Sequence, residues 1–415
     1  MKITHIITRM ILGGAQENTI LTCEGLHRRG HEVTLITGPP LGPEGQLLDR
    51  ARSGGYQVIE LDPLRRAINP FQDFPAYSQL KKLLGDLDPD IVHTHSAKAG
   101  ILGRRAAYAL RQKGAAACCS AVRKFREAQL ASCGRPRIIH TIHGLAFHPY
   151  QSALVNRLYI AIERKAAKQT DVMISVAQAM TDQALEAGIG RPEQYTKVFS
   201  GLEMDHFLQV PTQEETAALR KEYYIPSNAI VIATVARLFH LKGHEYIIEA
   251  AREIVNERKN VVWLFIGDGK LKNQLEQRIA GYKLTEYFRF TGLVPPERVA
   301  PLLHASDILV HCSLREGLAR VLPQALLCSK PVISFDVDGA AEVVQHDQTG
   351  FLISPRDISA LTQYLIKLLA DADLRIRLGQ AGRDFCRREF DHELMVDRIE
   401  KVYGNQKEFL PSDIT

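Results

Sequence analysis

The chain has 415 residues, of which 45% are hydrophobic and 24% are charged. The composition is ordinary for a globular protein in water, and the length exceeds that of most single domains, so two domains are expected. Apolar stretches are too short or too polar to span a membrane, and Arg9 interrupts the apolar amino terminus, so neither a membrane span nor a secretory leader is expected.

Cysteine usage indicates the compartment. The seven cysteines are odd in number and form no C-x-x-C pair, which is typical of reduced thiols in the cytosol. We therefore expect a cytoplasmic protein.

The first half of the chain alternates apolar strand patterns with helical patterns. Gly13 and Gly14 form the turn from the first strand into a helix from about Ala15 to Arg29, which Gly30 ends. Such alternation predicts βαβ units and a parallel sheet covered by helices on both faces. The predicted strands are Lys2–Thr8, His31–Thr37, Tyr56–Leu61, Asp90–Thr94, Arg137–His143, Asp171–Val176 and Tyr195–Phe199.

The same pattern begins again after residue 225. The polar segment Ser200–Glu215 between the two series is interpreted as a linker. Two doubly wound sheets joined by a short linker are expected to bind a ligand in the cleft between their carboxyl edges. The strands predicted in the second series are Ala229–Ala236, Asn260–Ile266, Phe288–Gly292, Asp307–Cys312 and Pro331–Phe335.

These patterns predict an α/β protein with two doubly wound parallel-sheet domains. We place the first domain at residues 1–205 and the second at residues 206–388. Residues 389–404 are predicted to form a helix that crosses back onto the first domain, because apolar residues recur there at helical spacings. Residues 405–415 are a tail.

Charge is shared unevenly between the two halves. Residues 1–205 hold 26 Lys and Arg against 19 Asp and Glu, whereas the remainder holds 26 against 28. Nine basic residues and one acidic residue lie between Arg104 and Arg137. We expect this region to dock peripherally on the inner face of the cytoplasmic membrane, which is anionic. The alternative is a solvated helix face. Few aromatic residues interleave with the cluster, so nucleic acid is not an expected partner.

The stretch from His311 to Glu342 carries the strongest local pattern. A strand ends at Arg315, Glu316 and Gly317 and is predicted to lead directly into a helix, whose free backbone N–H groups would favour a diphosphate. Glu316 either accepts hydrogen bonds from sugar hydroxyls or only complements the helix dipole. Both interpretations stay open from this stretch alone.

Two cations follow the first strand of the second half. Arg237 and Lys242 lie five residues apart, with Gly243 opening the next helix. This arrangement suits a diphosphate that must leave a sugar, although a solvated loop is the simpler interpretation.

Histidines end two strands of the first half. His143 ends one strand, and His93 and His95 end the preceding one, so each is a candidate hydrogen-bond donor to a sugar or phosphate. His140 lies three residues before His143, which places the two on opposite faces of the strand. Since no Asp or Glu lies nearby, no metal site is expected here.

The motifs together resemble a known family. No G-x-S-x-G, P-loop or G-x-G-x-x-G motif occurs, which argues against a hydrolase, a kinase or a dinucleotide-binding enzyme. The chain is similar to the retaining glycosyltransferases of family 4, which have the GT-B fold, and most of all to bacterial capsule and exopolysaccharide transferases. The motifs that carry this resemblance are Gly13–Glu17, His93–His95 with Lys98–Gly100, Thr141–Gly144, Ser200–Leu202, Arg237 with Lys242–Gly243, Glu316–Gly317, and Val337–Gly339 with Glu342–Val343.

The resemblance implies a role for each matching residue. Arg237 and Lys242 hold the diphosphate, Glu316 bonds the hydroxyls of the transferred sugar, and His143 lies near the sugar and the β-phosphate. Amides near Gly317 and Leu318 cap the phosphate, Gly14 lets its loop approach the donor, and Gln324 faces the ribose. His93, His95 and Lys98 are expected on the acceptor side.

The sequence departs from the family pattern twice. The second acid of the family's E-x7-E motif is Gln324, which we expect on the same helix face as Glu316, with Pro323 kinking that helix. A neutral amide still accepts a hydrogen bond, but a weaker one. Residues 112–137 are interpreted as a basic insertion into the first domain.

The expected activity follows from the resemblance. A sugar moves from a nucleotide-sugar, a UDP-sugar by expectation, to a hydroxyl of a cell-envelope or exopolysaccharide acceptor, which is expected to be lipid-linked, with retention at the anomeric carbon. No metal or other cofactor is expected. The alternatives are a sugar-nucleotide epimerase on the same fold and a catalytically silent sugar-nucleotide-binding partner.

Overall fold

The computed structural model describes residues 1–41, 45–122 and 135–404, except for the side chains of 115–122. The chain forms two compact units. Unit 1 comprises Met1–Gly201 and the segment from His392 onward, and unit 2 comprises Leu202–Asp391. The sequence predicted that the first domain ends at residue 205 and the second at residue 388, within four residues of the observed boundaries.

Unit 1 contains a seven-stranded parallel sheet in the order β3-β2-β1-β4-β5-β6-β7. Its strands are β1 Lys2–Ile7, β2 Glu32–Thr37, β3 Gln57–Glu60, β4 Ile91–His95, β5 Arg137–Ile142, β6 Val172–Ser175 and β7 Tyr195–Lys197. The helices before the crossing into unit 2 are α1 Gly14–Arg28, α2 Leu48–Ser53, α3 Pro70–Leu87, α4 Ala97–Val122, α5 Ala153–Ala167 and α6 Gln178–Glu186.

Unit 2 contains a six-stranded parallel sheet in the order β10-β9-β8-β11-β12-β13. Its strands are β8 Ile230–Val235, β9 Val261–Ile266, β10 Phe288–Gly292, β11 Ile308–His311, β12 Val332–Phe335 and β13 Gly350–Ile353. Its helices are α7 Asp205–Leu208, α8 Gln213–Glu222, α9 His244–Glu257, α10 Lys272–Gly281, α11 Val299–His304, α12 Val321–Leu327, α13 Ile358–Ala370 and α14 Ala372–Glu389.

The last helix of the chain, α15 His392–Gly404, belongs to unit 1 and packs on α1. Its buried residues are Met395, Val396, Ile399, Val402 and Tyr403. The close approach needs a small residue on α1, because a Cβ at Gly25 would lie 2.6 Å from a methyl carbon of Val396. At the periphery of this contact, Arg29 forms ion pairs with Glu393, Asp397 and Glu400.

The two faces of the unit 1 sheet bury different side chains because successive residues of a strand point in opposite directions. Ile3 and Ile7 of β1 belong to the core cluster beneath α1 and α15, whereas Ile6 belongs to the cluster beneath α3 and α4. The same alternation separates Ile91 from Val92 on β4. His5, His93 and Thr141 therefore lie on the face that α1 and α15 cover.

The local structure differs from the sequence predictions in three places. The strand β13, Gly350–Ile353, was missed. The segment Ser200–Glu215, interpreted as a linker, holds the boundary between the units and also contains α7 and the first turn of α8, with a capping box at Thr212. The helix after β11 begins at Val321 and not at Gly317. Pro323 therefore lies in the first turn, where a missing N–H costs no helical hydrogen bond, and no kink arises from it.

Candidate functional site

The sheet of unit 2 changes its winding direction between β8 and β11. Strand β8 pairs with β9 on one side and with β11 on the other. Loops that follow two such strands leave a crevice at the carboxyl edge of the sheet, where ligands of open α/β sheets bind. Lys242 follows β8 and Glu316 follows β11, so the fold brings together two residues that are 74 positions apart.

The two loops at this edge are locked to each other. Gly243 has a φ of +72°, and a Cβ there would lie 1.9 Å from the carbonyl oxygen of Cys312, so only glycine fits. The carbonyl of Leu241 accepts hydrogen bonds from the backbone N–H of Leu314 at 2.8 Å and the hydroxyl of Ser313 at 3.1 Å. This lock fixes the position of Lys242 relative to Glu316.

Lys242 and His311 set the charge state of Glu316. Lys242 Nζ lies 2.5 Å from Glu316 Oε1, and His311 Nε2 lies 3.3 Å from the same oxygen, at an angle outside that of a regular hydrogen bond. Burial by itself would raise the pKa of Glu316, but the charge of Lys242 and then the influence of His311 outweigh it and hold the pKa well below its usual range. The carboxylate is therefore ionised and accepts hydrogen bonds only.

The backbone of Glu316 is held from the other side. Its N–H donates to Asp338 Oδ2 at 2.6 Å, and the N–H of Gly339 donates to the carbonyl of Gly317 at 3.2 Å. Asp338 begins a short 3-10 helix, Asp338–Glu342, after β12. Sequence reasoning gave Asp338 and His311 no role of their own, although His311 ends an apolar strand just as His93 and His95 do.

Arg237 lies just beyond β8, on the same side of the sheet as Lys242. Its side chain is exposed, and the guanidinium carbon lies 5.1 Å from the ring centroid of Phe239. Two cations thus flank the loop between β8 and α9, and one of them is paired with Glu316. The loop offers an anionic ligand two positive charges.

The helix positions expected for Gly317, Leu318 and Gln324 were wrong, and their roles stay predictions. Gly317 and Leu318 precede α12, so their amides are not those of a helix terminus. Gln324 lies in the middle of this seven-residue helix, and Glu316 lies outside it. The two side chains therefore do not share a helix face.

In unit 1, two of the three expected acceptor-side residues lie in the core. His93 and His95 are fully buried and hydrogen-bonded to other side chains, so direct contact with an acceptor is not open to them. Lys98 forms an ion pair with Asp73. His143 is only partly buried at the carboxyl end of β5, and Gly14 opens α1 after the loop that follows β1. These two remain at the edge of the sheet where a ligand is expected.

Three arginines of the basic window make contacts within unit 1, and membrane docking of the window stays a prediction. Arg104 is fully buried and bonds Glu163 at 2.7 Å, and Arg111 bonds both carboxylate oxygens of Asp171. Arg137 donates to backbone carbonyls of α15. These arginines hold unit 1 together. Residues 112–122 of the expected insertion at 112–137 belong to α4, and residues 123–134 lie outside the described residues.

Among the described residues, one cluster has the composition of a metal site. His5, His93 and His95 each place a ring nitrogen within 4.8 Å of the others, and all three are buried. Their nitrogens already bond one another or neighbouring hydroxyls, with 3.0 Å between His5 Nδ1 and His95 Nε2. This geometry does not favour a metal ion, and the expectation of a metal-free enzyme stays a prediction.

Comparison with known proteins identifies the class. A family model described as "Glycosyl transferase 4-like domain" matches residues 13–198, and one described as "Glycosyl transferases group 1" matches residues 215–385. The chain belongs to glycosyltransferase family 4 and has the GT-B fold. It is a glycosyltransferase that uses a nucleotide-sugar, and its relatives act in polysaccharide biosynthesis. The prediction of family and fold class is confirmed.

Particular relatives narrow the context. The chain is 27% identical over 407 residues to the UDP-Gal:α-D-GlcNAc-diphosphoundecaprenol α-1,3-galactosyltransferase of Escherichia coli, covering 97% of this chain and 96% of the relative. It is 23% identical over 362 residues to the capsular polysaccharide glycosyltransferase CapM of Staphylococcus aureus, covering 84% and 85%.

Solved structures agree on the fold. HepE of Anabaena in complex with UDP superposes with a TM-score of 0.77 at 19% identity, over 97% of this chain and 99% of that one. WaaG, a glycosyltransferase of lipopolysaccharide biosynthesis, superposes with a TM-score of 0.72 at 17% identity, over 97% and 100%. In the described part of the chain, every helix is too short or too polar to cross a bilayer. Nothing in these comparisons supports the epimerase or the silent-partner alternative.

Proposed function

We propose that this enzyme transfers a sugar from a UDP-sugar, with retention at the anomeric carbon, to a hydroxyl group of a lipid-linked saccharide in the synthesis of an envelope polysaccharide or exopolysaccharide. The observation that carries the proposal is the pairing of Lys242 with an ionised Glu316 at the switch point of unit 2. A cation beside a carboxylate suits a ligand with a diphosphate at one end and hydroxyls at the other.

Each group has a task in this mechanism. Breaking the glycosyl–phosphate bond leaves positive charge on the sugar and negative charge on the departing diphosphate. Lys242 and Arg237 stabilise that diphosphate, and the backbone beside Lys242 is already held in place by its contacts with the loop after β11. Glu316 accepts hydrogen bonds from sugar hydroxyls, and its negative charge favours the developing cation. His143 donates to the sugar or the phosphate, and the leaving phosphate helps to remove the acceptor proton.

Two further residues complete the donor site in this proposal. Gly14 lets the loop after β1 approach the donor, since no Cβ is in the way. Gln324 accepts a hydrogen bond from a ribose hydroxyl, and it does so from α12 and not from a face shared with Glu316. A metal ion has no task in the mechanism.

The names of relatives support the choice of donor and acceptor. The E. coli relative is named for UDP-Gal as donor and a diphosphoundecaprenol-linked sugar as acceptor. HepE was solved with UDP and with UDP-glucose. The same E. coli name gives an α-1,3 linkage, which is retention if the donor sugar is α-linked to its diphosphate.

A lipid-linked acceptor requires a surface that meets the membrane, and α5 offers one. Leu154 and Leu158 are 78% and 56% exposed on this helix, and exposed Arg157 and Lys165 accompany them. Its acid, Glu163, bonds the buried Arg104. A helix with exposed apolar and basic residues is typical of the interface of an anionic bilayer. We therefore assign membrane docking to α5.

The test is a product analysis on the purified enzyme. Panels of UDP-, GDP- and ADP-sugars are first screened for thermal stabilisation, since a ligand of the folded state raises the melting temperature. The best donor is then incubated with lipid-diphosphate-linked saccharides, and the anomeric configuration of the product is read by NMR. An inverted product would overturn the retaining mechanism. Conversion of the donor without any acceptor would indicate an epimerase.

A further inference from the structure

Three imidazoles of unit 1 form a row that ends at His143. His143 Nε2 lies 3.2 Å from His95 Nδ1, and His95 Nε2 lies 3.0 Å from His5 Nδ1. The ring centroids of the two pairs are 5.4 and 5.3 Å apart, with ring planes inclined by 27° and 17°. In each pair, the distance between the ring centroids is close to a sum: the N···N distance plus the distance from each of these nitrogens to the centre of its own ring. The rings therefore meet end to end.

The row continues to the carboxyl-terminal helix. Tyr403 of α15 places its hydroxyl 3.4 Å from His5 Nε2 and 2.6 Å from His93 Nδ1. His93 Nε2 lies 2.7 Å from the hydroxyl of Thr141. The chain of hydrogen bonds thus runs from Thr141 through His93, Tyr403, His5 and His95 to His143.

The buried histidines His5, His93 and His95 are neutral. Burial lowers the pKa of His5 to about 3, and burial with the neighbouring histidines holds the pKa of His93 and His95 well below the usual range. A neutral imidazole carries one proton, so one nitrogen donates and the other accepts. The hydroxyl of Tyr403 has one proton, and leaving this buried proton unpaired is costly, so every hydrogen bond of the row points in the same direction.

The hydroxyl of Thr141 decides the direction. In the part of the chain that the structure describes, its one hydrogen-bond partner is His93 Nε2. If it accepted from His93, its own buried proton would lack an acceptor, which is costly. Thr141 therefore donates to His93, His93 to Tyr403, and Tyr403 to His5. His5 then donates to His95, and His95 donates to Nε2 of His143. A neutral His143 must carry its proton on Nδ1.

A shared metal ion does not explain this geometry. A metal needs nitrogen lone pairs that converge on one point, whereas the nitrogens of His5 and His95 face each other along their bond. His93 directs both of its nitrogens to hydroxyl groups.

We propose that Tyr403 is a positioning residue which, through His5 and His95, fixes the proton of His143 on Nδ1. The inference rests on the proposed function, in which His143 donates a hydrogen bond to the sugar or the leaving phosphate. The nitrogen that bears the proton is set by the bond that the other nitrogen makes. Tyr403 acts on the reaction only through this chain.

The first test reads the proton directly and needs no activity. Uniformly ¹⁵N-histidine-labelled enzyme gives the ring-nitrogen shifts of His143, assigned by their loss in His143→Gln. Wild type should show a protonated Nδ1 and an unprotonated Nε2. Tyr403→Phe removes the hydroxyl, so the hydrogen bonds between His5, His95 and His143 can run in either direction. The shifts of Nδ1 and Nε2 of His143 should then move towards each other. Tyr56→Phe is the matched control, because Tyr56 is also buried and, among the described residues, its hydroxyl has no hydrogen-bond partner.

The second test measures the consequence. Turnover of Tyr403→Phe should fall by about tenfold or more, as for partners that orient functional histidines elsewhere. The Kd for UDP should stay unchanged, since unit 2 holds the nucleotide. Thr141→Val should change the shifts in the same sense and Thr141→Ser should not, which keeps the test open if Tyr403→Phe fails to fold.

Two results would overturn the proposal. One is an NMR result: either His143 of the wild type carries its proton on Nε2, or the ring-nitrogen shifts of His143 are the same in the wild type, in Tyr403→Phe and in Thr141→Val. The other is a stoichiometric transition metal in the purified enzyme that His5→Ala releases. If the wild type shows the expected His143 shifts but transfers no sugar, the result would instead count against the proposed function.

Discussion

Lys242 Nζ and Glu316 Oε1 lie 2.5 Å apart at the carboxyl edge of the unit 2 sheet. Neither residue is close to the other in sequence, and neither is fully exposed. The pair holds a cation and a hydrogen-bond acceptor in place before any substrate arrives, so the binding of a donor does not have to assemble them.

Replacing either cation should remove most of the activity. Lys242→Ala and Arg237→Ala each leave the departing diphosphate with less compensating charge, at a cost of about 3 kcal/mol in the transition state, or roughly a hundredfold in turnover. Steady-state kinetics with the identified donor measure this. Lys259→Ala is the control, because Lys259 is exposed just before β9, at the opposite edge of the sheet. Unchanged turnover in Lys242→Ala would remove Lys242 from the phosphate site.

The stabilising effect of Glu316 should depend on pH. Its pKa is depressed in the folded state, so its contribution is present above the pKa of an unfolded glutamate, about 4.3, and is lost as the pH falls towards the folded value. The gap in unfolding free energy between wild type and Glu316→Gln should therefore narrow from pH 7 to pH 3. Urea unfolding at several pH values measures it, with the exposed Glu297→Gln as control. A gap that is constant over this range would contradict the electrostatic account.

Gln324 should contribute modestly to nucleotide binding. Gln324→Ala should weaken UDP binding by about 1 kcal/mol through one lost hydrogen bond, and Gln324→Glu should preserve or tighten it, since a charged acceptor bonds more strongly. Calorimetry with UDP decides this. An alanine variant that binds as well as wild type would show that the ribose lies elsewhere.

The α1–α15 contact should depend on the missing side chain of Gly25. Gly25→Ala should destabilise the protein by about 1–3 kcal/mol, because the new methyl group meets Val396. Adding Val396→Ala removes that clash and should restore part of the loss. Gly85→Ala in α3 is the control, because a Cβ there meets nothing within 4 Å, and it should stabilise by about 0.5–1 kcal/mol. Equal urea midpoints for the two single variants would refute the packing account.

Membrane docking should follow α5. Sedimentation with anionic vesicles should exceed that with neutral vesicles and should fall with salt, because the basic residues act through a screened attraction. Replacing Leu154 and Leu158 by serine should weaken it. The matched control, Arg105→Ser with Lys113→Ser, removes two charges of the basic window and should have a smaller effect. Equal binding of both double variants to anionic vesicles would exclude α5 as the docking surface.

The sequence alone determined the architecture and two residues of the candidate site in unit 2. Buried parallel strands are mostly apolar, so twelve of the thirteen described strands were visible in the sequence and β13 was missed. Lys242 and Glu316 were found because residues that follow strands of a doubly wound sheet gather at one edge. The start of α12 was missed because the turn Gly317–Arg320 is shaped by bonds to distant loops, such as that from Gly339 to Gly317.

Only the tertiary structure decided which charged and polar residues stay at the surface and which support the core. Arg104 and Lys98 were expected to face partners, but each found an acid from another helix. His5, His93 and Thr141 share a face by simple alternation, yet the order β1-β4-β5 that makes them neighbours is set by long-range pairing. Tyr403 bonds His5 from 398 positions and His93 from 310 positions along the chain, because burial of the apolar face of α15 against α1 places its hydroxyl there.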